Sequence, residues 1–304
     1  MSKPIIIDCD PGIDDAMAIL MAVTSPDLDV KLITTVAGNQ TVDKTTKNTL
    51  DLLSFIGEET IEVAKGAAAP LIKPLVLAEK IHGDSGLGNV EMNVPDRKLS
   101  TKPAVEAMRK VLENSSEKIT VAAVGPLTNV ALLIKIYPHL TEKIGQLSIM
   151  GGSLKEGNIT PAAEFNFFVD PEAASIVLES GVPVTLFGLH VTHKVPLYKE
   201  DIERIRDTGN ETGRLVASML DYYFQEGRVE GLHDPCAVAS LLDPGLFQFS
   251  RFHVQVETKG EYTSGMTVMD QRRFSRTRSN VYVAMDVNRE GLISHLENSI
   301  RRLK

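Results

Sequence analysis

The sequence predicts an α/β fold: a doubly wound, mostly parallel sheet in a single domain spanning residues 1–304. Short apolar runs alternate with stretches of helical periodicity along most of the chain. The runs carry apolar residues at successive positions rather than alternate ones, as strands covered on both faces must. No Ser/Gly/Pro-rich linker, low-complexity tract or internal repeat breaks the pattern, which argues for one domain.

The first strand is the Ile triplet at 5–7, and a helix follows over 13–24, where Ala16-Met17-Ala18-Ile19-Leu20-Met21-Ala22 are mostly strong helix formers. Strand 31–36 ends in a β-branched run, and helix 43–56 stops at Gly57. Strand 61–64 precedes a long aperiodic stretch at 66–100, and regular alternation resumes with helix 102–114, strand 119–124, helix 127–137 and strand 146–150. Helix 170–180 ends at Gly181, strand 183–188 follows, and helices are expected at 199–207, 211–226 and 235–242. The C-terminal third changes character, with strands at 252–257, 266–269 and 281–285 read as a β-hairpin subregion attached to the main sheet, then a final helix near 290–302.

A formal net charge of −8 argues against a nucleic-acid or anionic-membrane surface, because both need clustered Lys and Arg. The N-terminus lacks a basic segment followed by an apolar core, and no stretch reaches the ~20 apolar residues of a membrane span. A cytoplasmic protein acting on small molecules is the expectation. Cys9 and Cys236 are far apart and form no metal-binding pattern; acidic neighbours disfavour a Cys9 thiolate, so packing is its expected role.

Chemistry gathers at the strand ends, where ligands bind in open parallel sheets. Four carboxylates fall within Asp8-Cys9-Asp10-Pro11-Gly12-Ile13-Asp14-Asp15. Pro and Gly set a turn, and Asp14 and Asp15 occupy the first helical turn, where the helix dipole favours anions. One dipole cannot neutralise four charges, and hard carboxylate oxygens suit Ca²⁺ or Mg²⁺. Asn39 closes the second strand, Val124-Gly125-Pro126-Leu127-Thr128-Asn129 the fourth and Met150-Gly151-Gly152 the fifth. Asn158 follows, then Glu164-Phe165-Asn166-Phe167, whose alternation points two polar groups one way and two rings the other. Far downstream stand His233 and Asp234, with Asp234 placed to cap helix 235–242 and its charge expected to favour protonated His233. The 66–100 stretch, carrying His82 and three nearby glycines, reads as a flap over the site.

DCDPGIDD at 8–15, TVAGN at 35–39, VGPLTN at 124–129, IMGG at 149–152, AEFN at 163–166 and His233-Asp234 resemble the inosine-uridine-preferring nucleoside hydrolase family, over essentially the whole chain. Order and spacing look most like bacterial ribonucleoside hydrolases that accept both purine and pyrimidine nucleosides. The resemblance implies a bound Ca²⁺, hydrolysis of the N-glycosidic bond to ribose and free base, and a homo-oligomer, usually a tetramer and sometimes a dimer. By position, Asp10, Asp15, the Val124 carbonyl and Asp234 would hold Ca²⁺. Asp14, Asn39, Asn166 and Asp234 would bind the 2′ and 3′ hydroxyls, and Asn158 and Glu164 the 5′ hydroxyl. Asp10 matches the general base, His233 a residue beside the departing base with His82 second, and Asp8 a support for the loop. The chain has no Trp, which disfavours the purine-specific relatives that stack the base on tryptophan; Phe165, Phe167, Tyr222 or Tyr223 would supply aromatic contact instead. Oxocarbenium-like cleavage in a carboxylate-rich pocket agrees with this layout on chemical grounds alone. A haloacid-dehalogenase-type phosphatase, with Asp8 as nucleophile, Asp10 as acid and Mg²⁺, leaves Asp14, Asp15 and His233-Asp234 unexplained. A non-catalytic nucleoside or sugar sensor leaves Asp10 without purpose.

Overall fold

The computed structural model describes residues 2–225, 231–272 and 278–303. In chain order its elements are β1 (Lys3–Cys9), α1 (Ile13–Thr24), β2 (Leu28–Thr35), α2 (Val42–Phe55), β3 (Glu62–Lys65), α3 (Glu79–His82), α4 (Ala104–Asn114), β4 (Ile119–Ala123) and α5 (Thr128–Ile136). A 3₁₀ turn leads to β5 (Ile144–Met150), then α6 (Phe165–Val169), α7 (Pro171–Leu178), β6 (Val184–Phe187), α8 (Leu189–Thr192), α9 (Lys199–Arg206), α10 (Glu211–Gln225) and α11 (Asp234–Leu242). The chain closes with β7 (Phe247–Phe252), β8 (Val254–Val256), β9 (Thr267–Met269), β10 (Val281–Val287) and α12 (Arg289–Arg301). The expected helix 211–226 corresponds to α10; its last residue, Glu226, lies outside the described residues.

Eight strands form one sheet in the order β3-β2-β1-β4-β5-β6-β10-β7, parallel throughout except for β7, which runs antiparallel to β10 at the edge. Strand direction sorts the core. Ile5, Ile7 and Cys9 turn to the face covered by α1, α10, α11 and α12, while Ile6 turns to the face covered by α4, α5 and α7. The sequence order reverses between β1 and β4, which opens a crevice beyond their carboxyl ends. Both the Asp8–Asp15 stretch and Val124 leave the sheet at that crevice.

The C-terminal third differs from expectation. β8 and β9 pair as a separate two-stranded antiparallel sheet, whereas β10 joins the main sheet beside β6, and β7 was not foreseen as a strand. Its sequence Phe-Gln-Phe-Ser-Arg-Phe is largely exposed at the sheet edge and lacks a buried apolar run. The expected strand 252–257 divides at His253 between β7 and β8. Among the described residues, no helix is long and apolar enough to cross a membrane.

Candidate active site

The turn between β1 and α1 is organised by its own acids. Asp15 sits one turn into α1 and reaches back, its Oδ2 accepting the Gly12 N–H at 2.9 Å and its Oδ1 the Asp10 N–H at 3.1 Å. Asn39, delivered by the end of β2, donates its side-chain amide to Asp15 Oδ2 at 3.0 Å and its backbone N–H to Asp10 Oδ2 at 2.6 Å. Asp10 Oδ1 is buried with no hydrogen-bond partner. Gly38 and Gly125 flank this carboxylate so closely that a Cβ would lie 2.2 Å from Oδ2 at the first and 2.5 Å from Oδ1 at the second.

α11 brings Asp234 to the same place. One carboxylate oxygen from each of Asp14, Asp15 and Asp234 lies within 4.8 Å of the others, all three buried. Burial raises the proton affinity of Asp15 to about 7, with the Asp14 charge adding to it. Asp10 and Asp234 are held well above the ordinary carboxylate range by burial and by the neighbouring acids. Buried acids packed this way need either protons or a cation, and an all-oxygen set with an unsatisfied carboxylate oxygen fits a hard divalent ion. Asp8 stands apart: its Oδ1 accepts from Thr34 and Asn129, which ties β1 to β2 and α5, in keeping with a support for the loop.

Beyond the acids lies a cavity of about 580 Å³ lined by Asp14, Asn39, His82, Val124, Asn158, Glu164, Asn166, His233 and Asp234, together with Met150, Phe165 and Tyr223. Asn166 Nδ2 donates to the Val124 carbonyl at 2.8 Å. Glu164 accepts three backbone N–H groups, from Gly152, Asn166 and Phe167, and burial still lifts its carboxyl to about 7. Asn158 Oδ1 accepts the Phe165 N–H at 2.9 Å, so both polar residues expected near the 5′ hydroxyl also hold the turn that carries them.

His82 also borders the cavity: its Nδ1 accepts the Ile13 N–H at 3.2 Å, with the Tyr223 hydroxyl 3.3 Å away. α3 carries this histidine inward, so part of the 66–100 stretch does border the site. His233 Nδ1 faces the Thr192 hydroxyl at 2.7 Å, and its ring packs edge-on to His193.

Residues 5–294 match the family model described as inosine-uridine preferring nucleoside hydrolase. The chain belongs to this family. The pyrimidine-specific ribonucleoside hydrolase RihA of Citrobacter koseri is 48% identical over 303 residues, covering 97% of each chain, and that of Salmonella paratyphi C is 46% identical over 308 residues, covering 99% of each. Among solved structures, a plant nucleoside hydrolase superposes with a TM-score of 0.92 at 33% identity, over 99% of both chains. A purine-preferring ribonucleoside hydrolase from Gardnerella vaginalis gives 0.90 at 30% identity, over 98% of this chain and 99% of that one.

In this nucleoside hydrolase three expectations need correction. Glu164 to Phe167 is not an extended segment: Glu164 is the N-cap of α6, and the helical turn sends Phe165 to the cavity while Phe167 is buried against Gly151. Asp234 does not cap α11 but is its first residue, with His233 at the cap position, which frees the carboxylate for the acidic cluster. His233 is not favoured in its protonated form, because burial and then His193 push its pKa down to about 3. The hydrolase also separates its aromatic candidates. Phe165 and Tyr223 line the cavity, whereas Phe167 is in the core and Tyr222 packs by Gly83 and Gly88. Met150 lines the cavity from the end of β5, where the sequence places a strand exit, whereas Leu77, Ile81 and Ile159 also line it and carry no sequence signal.

Proposed function

We propose that the chain is a Ca²⁺-dependent ribonucleoside hydrolase that cleaves the N-glycosidic bond of pyrimidine ribonucleosides to ribose and free base. The single observation that carries the reading is the Asp10 carboxylate, buried and half unsatisfied next to Asp14, Asp15 and Asp234, of which Asp14 and Asp234 line a nucleoside-sized cavity. The sequence motifs alone led to both base classes; the relatives named as pyrimidine-specific support the narrower substrate range.

Asp15, Asp234 and the Val124 carbonyl would hold the ion with Asp10, and Asp14, which the geometry adds to the cluster, stands beside them. Bound there, a cation would offset the buried charge and supply Lewis acidity that makes a neighbouring water a better nucleophile. Asp10 Oδ2 is already engaged by Asn39, so Oδ1 is the atom that accepts the water's proton. Asp14, Asn39, Asn166 and Asp234 bind the ribose 2′ and 3′ hydroxyls, and Glu164 and Asn158 the 5′ hydroxyl. As the C1′–N bond lengthens, positive charge grows on the sugar, and the surrounding carboxylates stabilise it. The base departs with the bonding pair toward His233 and His82. Both imidazoles are disfavoured as cations by burial, so they serve as hydrogen-bond donors to the departing base rather than as strong acids.

The proposal includes a cytoplasmic location and a homo-oligomer, a tetramer or a dimer, with no nucleic-acid or membrane partner. Uridine, cytidine, inosine and adenosine assayed for released ribose, with and without a chelator, test it. Uridine and cytidine should be cleaved in preference to the purines, and chelation should abolish turnover until Ca²⁺ is restored. Chelator-resistant cleavage would remove the metal, and equal rates on inosine would remove the pyrimidine preference.

A further inference from the structure

His233 is held from outside the acidic cluster, by a residue that no role described so far includes. Thr192 ends α8 and is fully buried, and its hydroxyl lies 2.7 Å from His233 Nδ1. The approach is built by backbone. Leu232 N–H donates to the Val195 carbonyl at 3.0 Å, and Gly231 bridges to Pro196, so the segment before His233 runs alongside the one after Thr192. A Cβ on Gly231 would lie 2.9 Å from the Thr192 carbonyl oxygen and 3.4 Å from His233 Cε1, so a side chain there would crowd the two segments apart. His193 packs edge-on to the His233 ring with centroids 5.5 Å apart, which limits rotation of the ring.

The bond has a direction. Among the described residues the Thr192 hydroxyl has His233 Nδ1 as its one hydrogen-bond partner, so its proton has that acceptor and no competing carbonyl. An Nδ1 that accepts leaves the hydrogen of a neutral imidazole on Nε2, and the His233 ring lines the cavity. We propose that Thr192 is the positioning residue of His233: its hydroxyl fixes the Nε2–H tautomer and the ring orientation that present a hydrogen-bond donor to the departing base. The inference rests on the reading that His233 serves the leaving group. No proton is lost by His233 in this arrangement. The bonding pair of the C1′–N bond leaves with the base, the water's proton goes to Asp10, and the Nε2–H hydrogen bond takes up part of the charge on the base.

The test uses Thr192→Val, which keeps the shape and removes the hydroxyl, Thr192→Ser, which restores it, and His233→Ala as the reference, each assayed on uridine and on p-nitrophenyl riboside. Thr192→Val should lower kcat on uridine about tenfold to hundredfold, a part of the ~10² to 10³ that a preorganised hydrogen-bond donor contributes, with KM changed less than about twofold. The riboside with the good leaving group should be cleaved at nearly the wild-type rate, and Thr192→Ser should recover uridine turnover. If Thr192→Val matches wild type on both substrates, or loses both equally, while His233→Ala still loses uridine selectively, the inference is wrong and the role of His233 stands. If His233→Ala shows no selective loss, the reading beneath it fails. A measurement on the intact wild-type enzyme guards against a variant that does not fold: long-range ¹⁵N–¹H correlation, with the His233 ring assigned through His233→Ala. It should show the hydrogen on Nε2; a hydrogen on Nδ1 overturns the proposal.

Discussion

The backbone N–H of Asn39 donates to Asp10 Oδ2 at 2.6 Å, which leaves Asp10 Oδ1 buried and without a partner beside three other acids. One oxygen anchors the side chain and the other is available for a proton. In Asp10→Asn the carbonyl oxygen can still accept from Asn39, so the fold should survive with an amide nitrogen where the base stood. Turnover of uridine should fall by at least about 10², the lower range of general-base catalysis, while ribose still binds. Near-normal kcat in this variant would remove Asp10 as the base.

Asp15 would tie metal binding to loop structure. Its carboxylate accepts from Asp10, Gly12 and Asn39, so Asp15→Ala should lower Tm even without metal, because three buried donors lose their acceptor. The separate signature of a ligand is the response to Ca²⁺. Wild-type Tm should rise with added Ca²⁺, by mass action on the native state, and the variant's should not. A variant that still takes up one calcium per chain would contradict the assignment.

Gly125 makes room for Asp10. A Cβ there would meet Oδ1 at 2.5 Å and the Val36 side chain at 3.0 Å, and both carboxylate and backbone are fixed by neighbours. Gly125→Ala should therefore reduce kcat about tenfold or more through displacement of Asp10, since misplacement by ~1 Å costs up to ~10²-fold. Gly145→Ala, at the other end of the sheet, meets nothing nearer than 3.2 Å and serves as the control with unchanged kinetics. Equal activity in the two variants would show that the turn yields without moving the acid.

Glu164 gives a pH signature away from the acidic cluster. Burial raises its carboxyl to about 7 against three lowering backbone hydrogen bonds, from an ordinary 4.5 in the unfolded chain. Below pH 4.5 both states are protonated. Between 4.5 and 7 the unfolded chain releases a proton that the native state keeps, so stability is lost as pH rises, at up to about 1.4 kcal/mol per unit, and above 7 the loss is complete. Glu164→Gln cannot titrate. Denaturant melts at pH 5 and 7 should show wild type losing stability relative to the variant; parallel pH profiles would mean the carboxyl is already ionised at pH 5.

The metal-side acids were legible because their geometry is local: a turn between a strand and a helix places Asp14 and Asp15 whatever the rest of the chain does. Asn39, Val124 and Met150 follow from the rule that sites form beyond strand carboxyl ends. Four residues cannot distinguish a period of two from a helical turn, so the alternation at Glu164 to Phe167 does not reveal the start of α6. His233 has Asp234 as its sequence neighbour, but adjacent residues at a helix start point apart. Its actual partner, Thr192, lies 41 residues away and no local pattern could supply it. Tyr223 beside His82 is likewise a contact across 141 residues.

Discrimination against deoxynucleosides follows from the acids taken together. Asp14 and Asn39 both line the cavity, and Asp14 shares the carboxylate cluster with Asp15 and Asp234, so a 2′ hydroxyl entering there meets a cation ligand set and a carboxylate acceptor at once. Its absence would leave a buried acid without its partner. Sites built to hydrogen-bond a substrate hydroxyl reject the analogue lacking it by roughly 10⁴ or more, whereas a pocket that merely tolerates the group discriminates far less. The value of kcat/KM for 2′-deoxyuridine should therefore fall at least about three decades below that for uridine. Inosine and deoxyinosine should show a similar ratio even if both are poor substrates, because the loss sits on the sugar and not on the base. Cleavage of deoxyuridine within tenfold of uridine would place the ribose elsewhere in the cavity while leaving the reaction class intact.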